Sequence, residues 1–254
     1  MATPRIDRIW PDPAERLGVE ALAAAYGRPG REGAARPWIR ANFVSTVDGS
    51  ATGADDRSGS ISSAADKAVF GVLRRLCDAV LVAAGTVREE GYTAMRVDPA
   101  SVAWRRRNGL RDHPVFVIAT RSLDLDPASP VFADAPVRPI VVTTAAAPAR
   151  RRAALAEVAD VVDCGEGELD PIVMRTELAG RGLADVLCEG GPSFLGALLA
   201  ADALDELCLT VAGELVAGDG PRIAHGPPAH VRMRMAHVLR SSTDLHLRYT
   251  RSAP

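Results

Sequence analysis

Lysine is nearly missing from this 254-residue chain: Lys67 is the only one, and arginine supplies the remaining basic residues. The 30 basic and 32 acidic side chains almost cancel, leaving a net charge of −2 with neither sign gathered in one stretch. Without a basic face, nucleic acid is excluded as a general partner. Cysteine is sparse as well. Cys77, Cys164, Cys188 and Cys208 stand far apart with no paired spacing, which argues for reduced thiols and against a disulfide framework or zinc site. His113, His225, His230, His237 and His246 also lack metal-ligand spacing, so no metal is expected. No apolar run reaches the length of a membrane span, and the opening MATPRIDRIWPDP has no apolar signal core. The expectation is a soluble, cytoplasmic protein.

What is present is ample apolar material, 47% of residues, enough for a full core. The chain is organised around residues 185–199. Asp185-Val186-Leu187-Cys188 reads as the end of a buried strand, Glu189-Gly190-Gly191 as a sharp turn, and Pro192 onward as an apolar-periodic helix. Two residues without side chains between a strand end and a helix N-terminus leave backbone N–H groups open to an anionic ligand. A tight connection that binds nothing is the other reading of a lone Gly-Gly.

Residues 1–36 form an N-terminal extension with a short helix over 17–26 and a polar, Gly- and Pro-containing linker over 28–37; residues 37–254 are the main domain. The main domain opens with strand 38–45, running into the Asp48-Gly49 turn, and carries Asn42, a polar amide within an apolar strand. A Gly-rich polar loop covers 51–61. Ser62 or Ser63 caps a helix through Leu76, with Asp66 in its first turn, where a carboxylate suits the helix dipole. Residues 78–84 read as a strand, apolar without a break after Asp78, as in a strand buried on both faces of a parallel sheet, and end in Gly85-Thr86-Val87. Strand 114–119 ends in Thr120-Arg121-Ser122, a hydroxyl–cation–hydroxyl set suited either to a phosphate monoester or to solvent. Strands and helices then alternate to residue 200, predicting one doubly wound sheet. Beyond it, 207–212, 231–238 and 243–249 are expected as antiparallel additions at one edge. In the last of these, Leu245, Leu247 and Tyr249 alternate with polar residues.

Three anchors therefore stand in fixed order: NFVSTVDG, VLVAAGTVREEGY, and VLCEGGPSFLGALLAADALDELCLTVAGELVAGDG. Together they resemble the reductase family of bacterial riboflavin biosynthesis, the C-terminal half of a bifunctional deaminase/reductase. The likeness covers about residues 37–250 and implies a dihydrofolate-reductase-like α/β fold: a mostly parallel central sheet flanked by helices, with antiparallel C-terminal edge strands. No His-x-Glu followed by Pro-Cys-x-x-Cys occurs, so the zinc deaminase half is absent.

The resemblance implies an NADPH-dependent reductase of a pyrimidine or pterin-like substrate, of the 5-amino-6-(5-phosphoribosylamino)uracil reductase type. Gly85, Thr86, Val87, Gly190, Gly191, Pro192 and Ser193 would hold the pyrophosphate and nicotinamide side. Thr120, Arg121 and Ser122 would read the adenosine 2′-phosphate. Asn42, Ser62, Arg74 and Arg96 would line the substrate side, where Glu90 and Glu189 also fall; these two and Asp66 are the candidate acids. The chain carries Asn42 where the family commonly has Lys, and Glu90-Gly91-Tyr92 where it has Asp-Asn-Pro. A homodimer is implied too, with the apolar C-terminal strands as its interface. Dihydrofolate or dihydropterin reduction and a catalytically silent NADP-binding protein remain as alternatives.

Overall fold

The computed structural model describes residues 4–28 and 36–251. In chain order it contains β1 (Ile6–Trp10), α1 (Val19–Tyr26), β2 (Trp38–Thr46), α2 (Ala64–Leu76), β3 (Ala79–Ala83), α3 (Ala84–Glu89), α4 (Pro99–Arg107), β4 (Val115–Ala119), α5 (Pro130–Ala133), β5 (Ile140–Thr143), α6 (Ala149–Ala156), β6 (Asp160–Asp163), α7 (Pro171–Gly180), β7 (Asp185–Cys188), α8 (Pro192–Ala200), β8 (Glu206–Ala212), β9 (Met233–Ser241) and β10 (Asp244–Arg251). Most of the expected linker over 28–37 lies outside the described residues.

These elements fall into two compact units. One runs from Arg74 to Gly191; the other holds β1, α1, β2 from Ile39, α2 as far as Leu73, and the chain from Pro192 onward.

The Arg74–Gly191 unit carries five strands in the order β7-β3-β4-β5-β6, all parallel. Val80, Leu81, Val82, Val117 and Ile118 are fully buried, as the unbroken apolar runs of 79–83 and 115–119 require of strands covered on both faces. The helix α4 has no counterpart among the expected elements. Asp98 caps it by accepting from the Ala100 and Ser101 N–H groups. From α4 the fully buried Arg105 donates to the carbonyls of Arg75 (2.9 Å) and Cys77 (2.6 Å), so a cation closes the C-terminal end of α2.

The other unit orders its strands β1-β9-β10-β8-β2. Two expectations change here. Strand β8 is antiparallel to β10 but parallel to β2, so 207–212 is not a purely antiparallel addition. The extension, for its part, places β1 antiparallel to β9. The alternation in β10 buries its polar set. Asp244, His246 and Arg248 are buried while Leu245 is 38% exposed, and Glu206, Cys208, Thr210 and Ala212 are the buried positions of β8.

A polar face can be buried only if its members satisfy one another. Arg248 donates to Glu206 Oε1 at 2.8 Å, and Arg40 on β2 reaches the same oxygen at 2.7 Å. Both guanidiniums also bond the last carbonyls of α1, Arg40 to Tyr26 at 2.6 Å and Arg248 to Ala25. Burial works against the Glu206 charge, yet the two arginines outweigh it and hold its carboxyl below the ordinary range. This cluster ties α1 to three strands.

Candidate functional site

Because β3 and β7 are parallel neighbours, with Leu81 opposite Cys188, the segments leaving their C-terminal ends emerge side by side, where open α/β sheets hold ligands. The Ala83 N–H reaches the Gly190 carbonyl at 3.3 Å. Helix α3 starts directly at Ala84, so Gly85 and Thr86 form its first turn. Gly190 has φ +143° and Gly191 φ +90°, and a Cβ built on Gly190 would lie 3.1 Å from Thr86 Cγ2. The turn after β7 thus has room for backbone and none for a side chain. Val87 is buried in the core, which leaves only its backbone to face a ligand. Pro192 begins α8 and Ser193 is exposed.

A cleft of about 460 Å³ opens at the start of α3. Gly85, Arg88, Thr120, Arg121, Ser122 and Thr144 are among its lining residues, at the ends of β3, β4 and β5. Leu123, at φ +51°, bends the chain after β4 so that its N–H donates to Thr120 Oγ1 at 3.1 Å. That hydroxyl is therefore engaged in the turn. Arg121 is exposed and paired with Glu168. Arg88 donates to the Asp124 carbonyl at 2.8 Å, and Arg151 reaches the Asp124 carboxylate at 3.4 Å. Three cations at one strand-end cluster suit an anionic group. Sequence reasoning missed Arg88 and Arg151, although Arg88 stands only one residue beyond Gly85-Thr86-Val87.

In the same unit, Arg74 grips Glu189 with both prongs of its fork, Nε to Oε1 and Nη2 to Oε2, each at 2.6 Å. The Glu189 side chain is fully enclosed, while that of Arg74 keeps 22% exposure. Tyr92 donates its hydroxyl to Glu189 Oε2 at 3.1 Å. Burial opposes the Arg74 charge, but Glu189 outweighs it and raises the guanidinium pKa above its usual value. Burial first, then the charge of Glu189, keeps the Tyr92 phenol protonated far above its ordinary range, with a small push from Glu90. Both carboxylate oxygens of Glu189 are thus engaged by neighbouring side chains. Glu90 itself is exposed at the C-terminal cap of α3. Arg96 is exposed and donates to the Asp134 carbonyl at 2.6 Å.

The remaining candidates lie in the other unit. Asn42 is buried on β2, opposite Cys208 of β8. Of the two possible caps for α2, Ser63 accepts from the Asp66 N–H at 3.2 Å, and Ser62 instead donates to Asp66 Oδ2 at 2.5 Å. Asp66 is buried, so it does more than complement the helix dipole at the surface. Buried His246 bonds Thr210 through Nδ1 and Ser241 through Nε2, both at 2.9 Å. Burial lowers its pKa, and the nearby charges of Asp66 and Asp244 oppose that shift. The polar residues that alternate along β10 were the sequence signal for this cluster.

Among the described residues no group of three or more His, Cys, Asp or Glu is placed to hold a metal ion, and no helix is long and apolar enough to cross a membrane. Side-chain-free backbone at Gly190 and Gly191, together with the arginine-lined cleft, fits a nicotinamide dinucleotide.

Residues 37–247 match the family described as the RibD C-terminal domain. Over 228 residues the chain is 29% identical to a 2,5-diamino-6-ribosylamino-4(3H)-pyrimidinone 5′-phosphate reductase of Methanothermobacter thermautotrophicus, covering 85% of this chain and 98% of that protein. It is 26% identical over 182 residues to the riboflavin biosynthesis protein RibD of Mycobacterium tuberculosis, covering 72% of this chain and 44% of that one. Among solved structures, a pyrimidine reductase-like protein of Corynebacterium diphtheriae is similar with a TM-score of 0.82 at 23% identity, over 94% of this chain and all of that one. A riboflavin biosynthesis reductase of Saccharomyces cerevisiae gives 0.65 at 17% identity, over 85% of this chain and 90% of that one. Both structural likenesses establish the fold.

Proposed function

The chain belongs to the RibD C-terminal domain family, and from that premise we propose that it is an NADPH-dependent reductase of a ribosylamino-pyrimidine phosphate. Residues 37–254 are read as the reductase domain, with 1–36 as its extension. The observation that carries the reading is the positive-φ pair Gly190-Gly191, whose turn packs on Thr86 with no room for a Cβ, at the ends of two adjacent strands. Gly85, Thr86, Gly190, Gly191 and the start of α8 at Pro192 and Ser193 bind the dinucleotide, Val87 contributing through its backbone. Thr120, Arg121 and Ser122, joined by Arg88, receive the adenosine 2′-phosphate, since a dianion suits a cleft lined by guanidiniums. When bound, the nicotinamide supplies a hydride to a polarised C=N or C=O carbon of the substrate.

On the substrate side we assign Asn42, Ser62, Arg74 and Arg96 to binding. Glu189 holds Arg74 in place. Asp66 is the carboxyl assigned to hold or move a proton, because it is buried and oriented by Ser62, whereas Glu90 is exposed. We also read the protein as a homodimer. Phe43, Leu209 and Leu247 lie opposite one another across β2, β8 and β10, only half-buried, and exposed Leu245 shares the face of Leu247; an apolar sheet face of this kind favours a second copy.

The test is NADPH oxidation followed at 340 nm, about the wavelength at which the reduced nicotinamide absorbs, with the 2,5-diaminopyrimidinone ribotide, its deaminated aminouracil counterpart and dihydrofolate offered separately. Turnover of one of the pyrimidines is expected, with a large loss in Asp66→Asn. Turnover of none of them, or of dihydrofolate alone, would refute the reading.

A further inference from the structure

The groups assigned to cofactor and to substrate meet in one side-chain knot, and Tyr92 stands at its centre. Its backbone N–H bonds the Val87 carbonyl at 3.0 Å, so it is fixed to the helix that carries Gly85 and Thr86. Its hydroxyl bonds Glu189, the residue immediately before Gly190. On the ring, Phe116 of β4 stacks at 5.9 Å with planes 23° apart, and the Arg74 guanidinium lies 5.7 Å from the centroid. Both turns of the cradle therefore connect through Tyr92 and Glu189 to the cation of α2.

We propose that Tyr92 is a positioning residue of the reductase: it fixes the Arg74–Glu189 pair so that Arg74 keeps one orientation toward the pyrimidine. The inference rests on the assignment of Arg74 to substrate binding. Glu189 is wholly enclosed, and among the described residues Arg74 and Tyr92 are the side chains that donate to it. With the hydroxyl gone, one carboxylate oxygen keeps only the guanidinium. The fork keeps both of its contacts, but the carboxylate loses its third anchor, so the ion pair can swing as a unit with Arg74 as its more exposed member. The ring stack on Phe116 survives in Tyr92→Phe, so the fold is retained.

The experiment compares Tyr92→Phe with the wild type for KM, kcat, NADPH Kd and melting temperature. The expected result is a rise of about tenfold in KM for the pyrimidine, the size of one hydrogen bond to a charged group, with kcat changed less than twofold and NADPH Kd unchanged. Tyr92→Leu, which also removes the stack, should raise KM further and lower the melting temperature. A purely structural role would shift melting and leave the KM-to-kcat split unmoved, and that result overturns the inference, as does a Tyr92→Phe enzyme identical to the wild type. If the wild type turns over no pyrimidine, the proposed function falls and this inference falls with it; turnover with an unchanged KM in Tyr92→Phe removes this inference alone.

Discussion

Substituting alanine for Gly190 tests the cradle directly. The residue adopts φ +143°, a region that an L side chain occupies at a cost of about 1–3 kcal/mol. Steric conflict adds to this, because the new Cβ would sit 3.1 Å from Thr86 Cγ2, with Thr86 Oγ1 the next atom at 3.6 Å. Relief requires the turn or α3 to move by a few tenths of an ångström, and both carry backbone assigned to the dinucleotide. Gly190→Ala is therefore expected to raise the NADPH Kd tenfold or more, equivalent to about 1.4 kcal/mol, in a fluorescence titration. Thr86→Ser removes the methyl group that collides while keeping the hydroxyl, so Gly190→Ala/Thr86→Ser should recover about 0.5–1 kcal/mol of stability and part of the affinity. Gly109→Ala is the control: its φ is +69° with nothing within 4 Å of the new Cβ, so it should lose about 1–2 kcal/mol of stability and no NADPH affinity. Gly190→Ala binding NADPH as tightly as the control, or a double variant no better than the single one, would refute the packing argument.

Three further outcomes follow from the geometry. Arg121→Ala should weaken NADPH about tenfold while leaving NADH unchanged, and Glu168→Gln should tighten NADPH by less than about fivefold, since the exposed Arg121–Glu168 pair is itself worth at most about 1 kcal/mol; equal effects on both cofactors would remove the 2′-phosphate assignment. Glu206→Gln should lose about 3–5 kcal/mol in urea unfolding, because it strands two buried guanidiniums, and a loss below about 1 kcal/mol would show the cluster to be dispensable. Burial and the charge of Arg248 push His237 down to about 4. The unfolded chain then binds more protons than the folded one between about pH 4 and 6.5, so stability should fall as pH drops through that window, by up to about 3 kcal/mol. His237→Leu should flatten this slope; an unchanged slope would assign the acid sensitivity elsewhere.

Stretches whose burial is decided by local pattern were legible in the sequence. The apolar run ending in Gly85-Thr86-Val87 announced a strand covered on both faces of a parallel sheet, and that run is β3. The small-residue turn at 189–191 was legible for the same reason. Helix α4 was not. Its last turn carries Arg105 to Arg107, and only the fold shows that Arg105 is buried against the carbonyls at the end of α2.

The sequence by itself determined the β/α alternation of the main domain apart from α4 and α5, the position of the glycine turn and the family resemblance, since each is written in spacing along the chain. Tertiary structure alone decided which face of β10 is buried, that Glu189 is bound to Arg74, and that Arg88 joins Arg121 at one cleft. Alternation states that a strand has two faces without saying which one finds partners. Arg74 and Glu189, 115 residues apart, are joined by parallel strand pairing, and no local pattern encodes that distance.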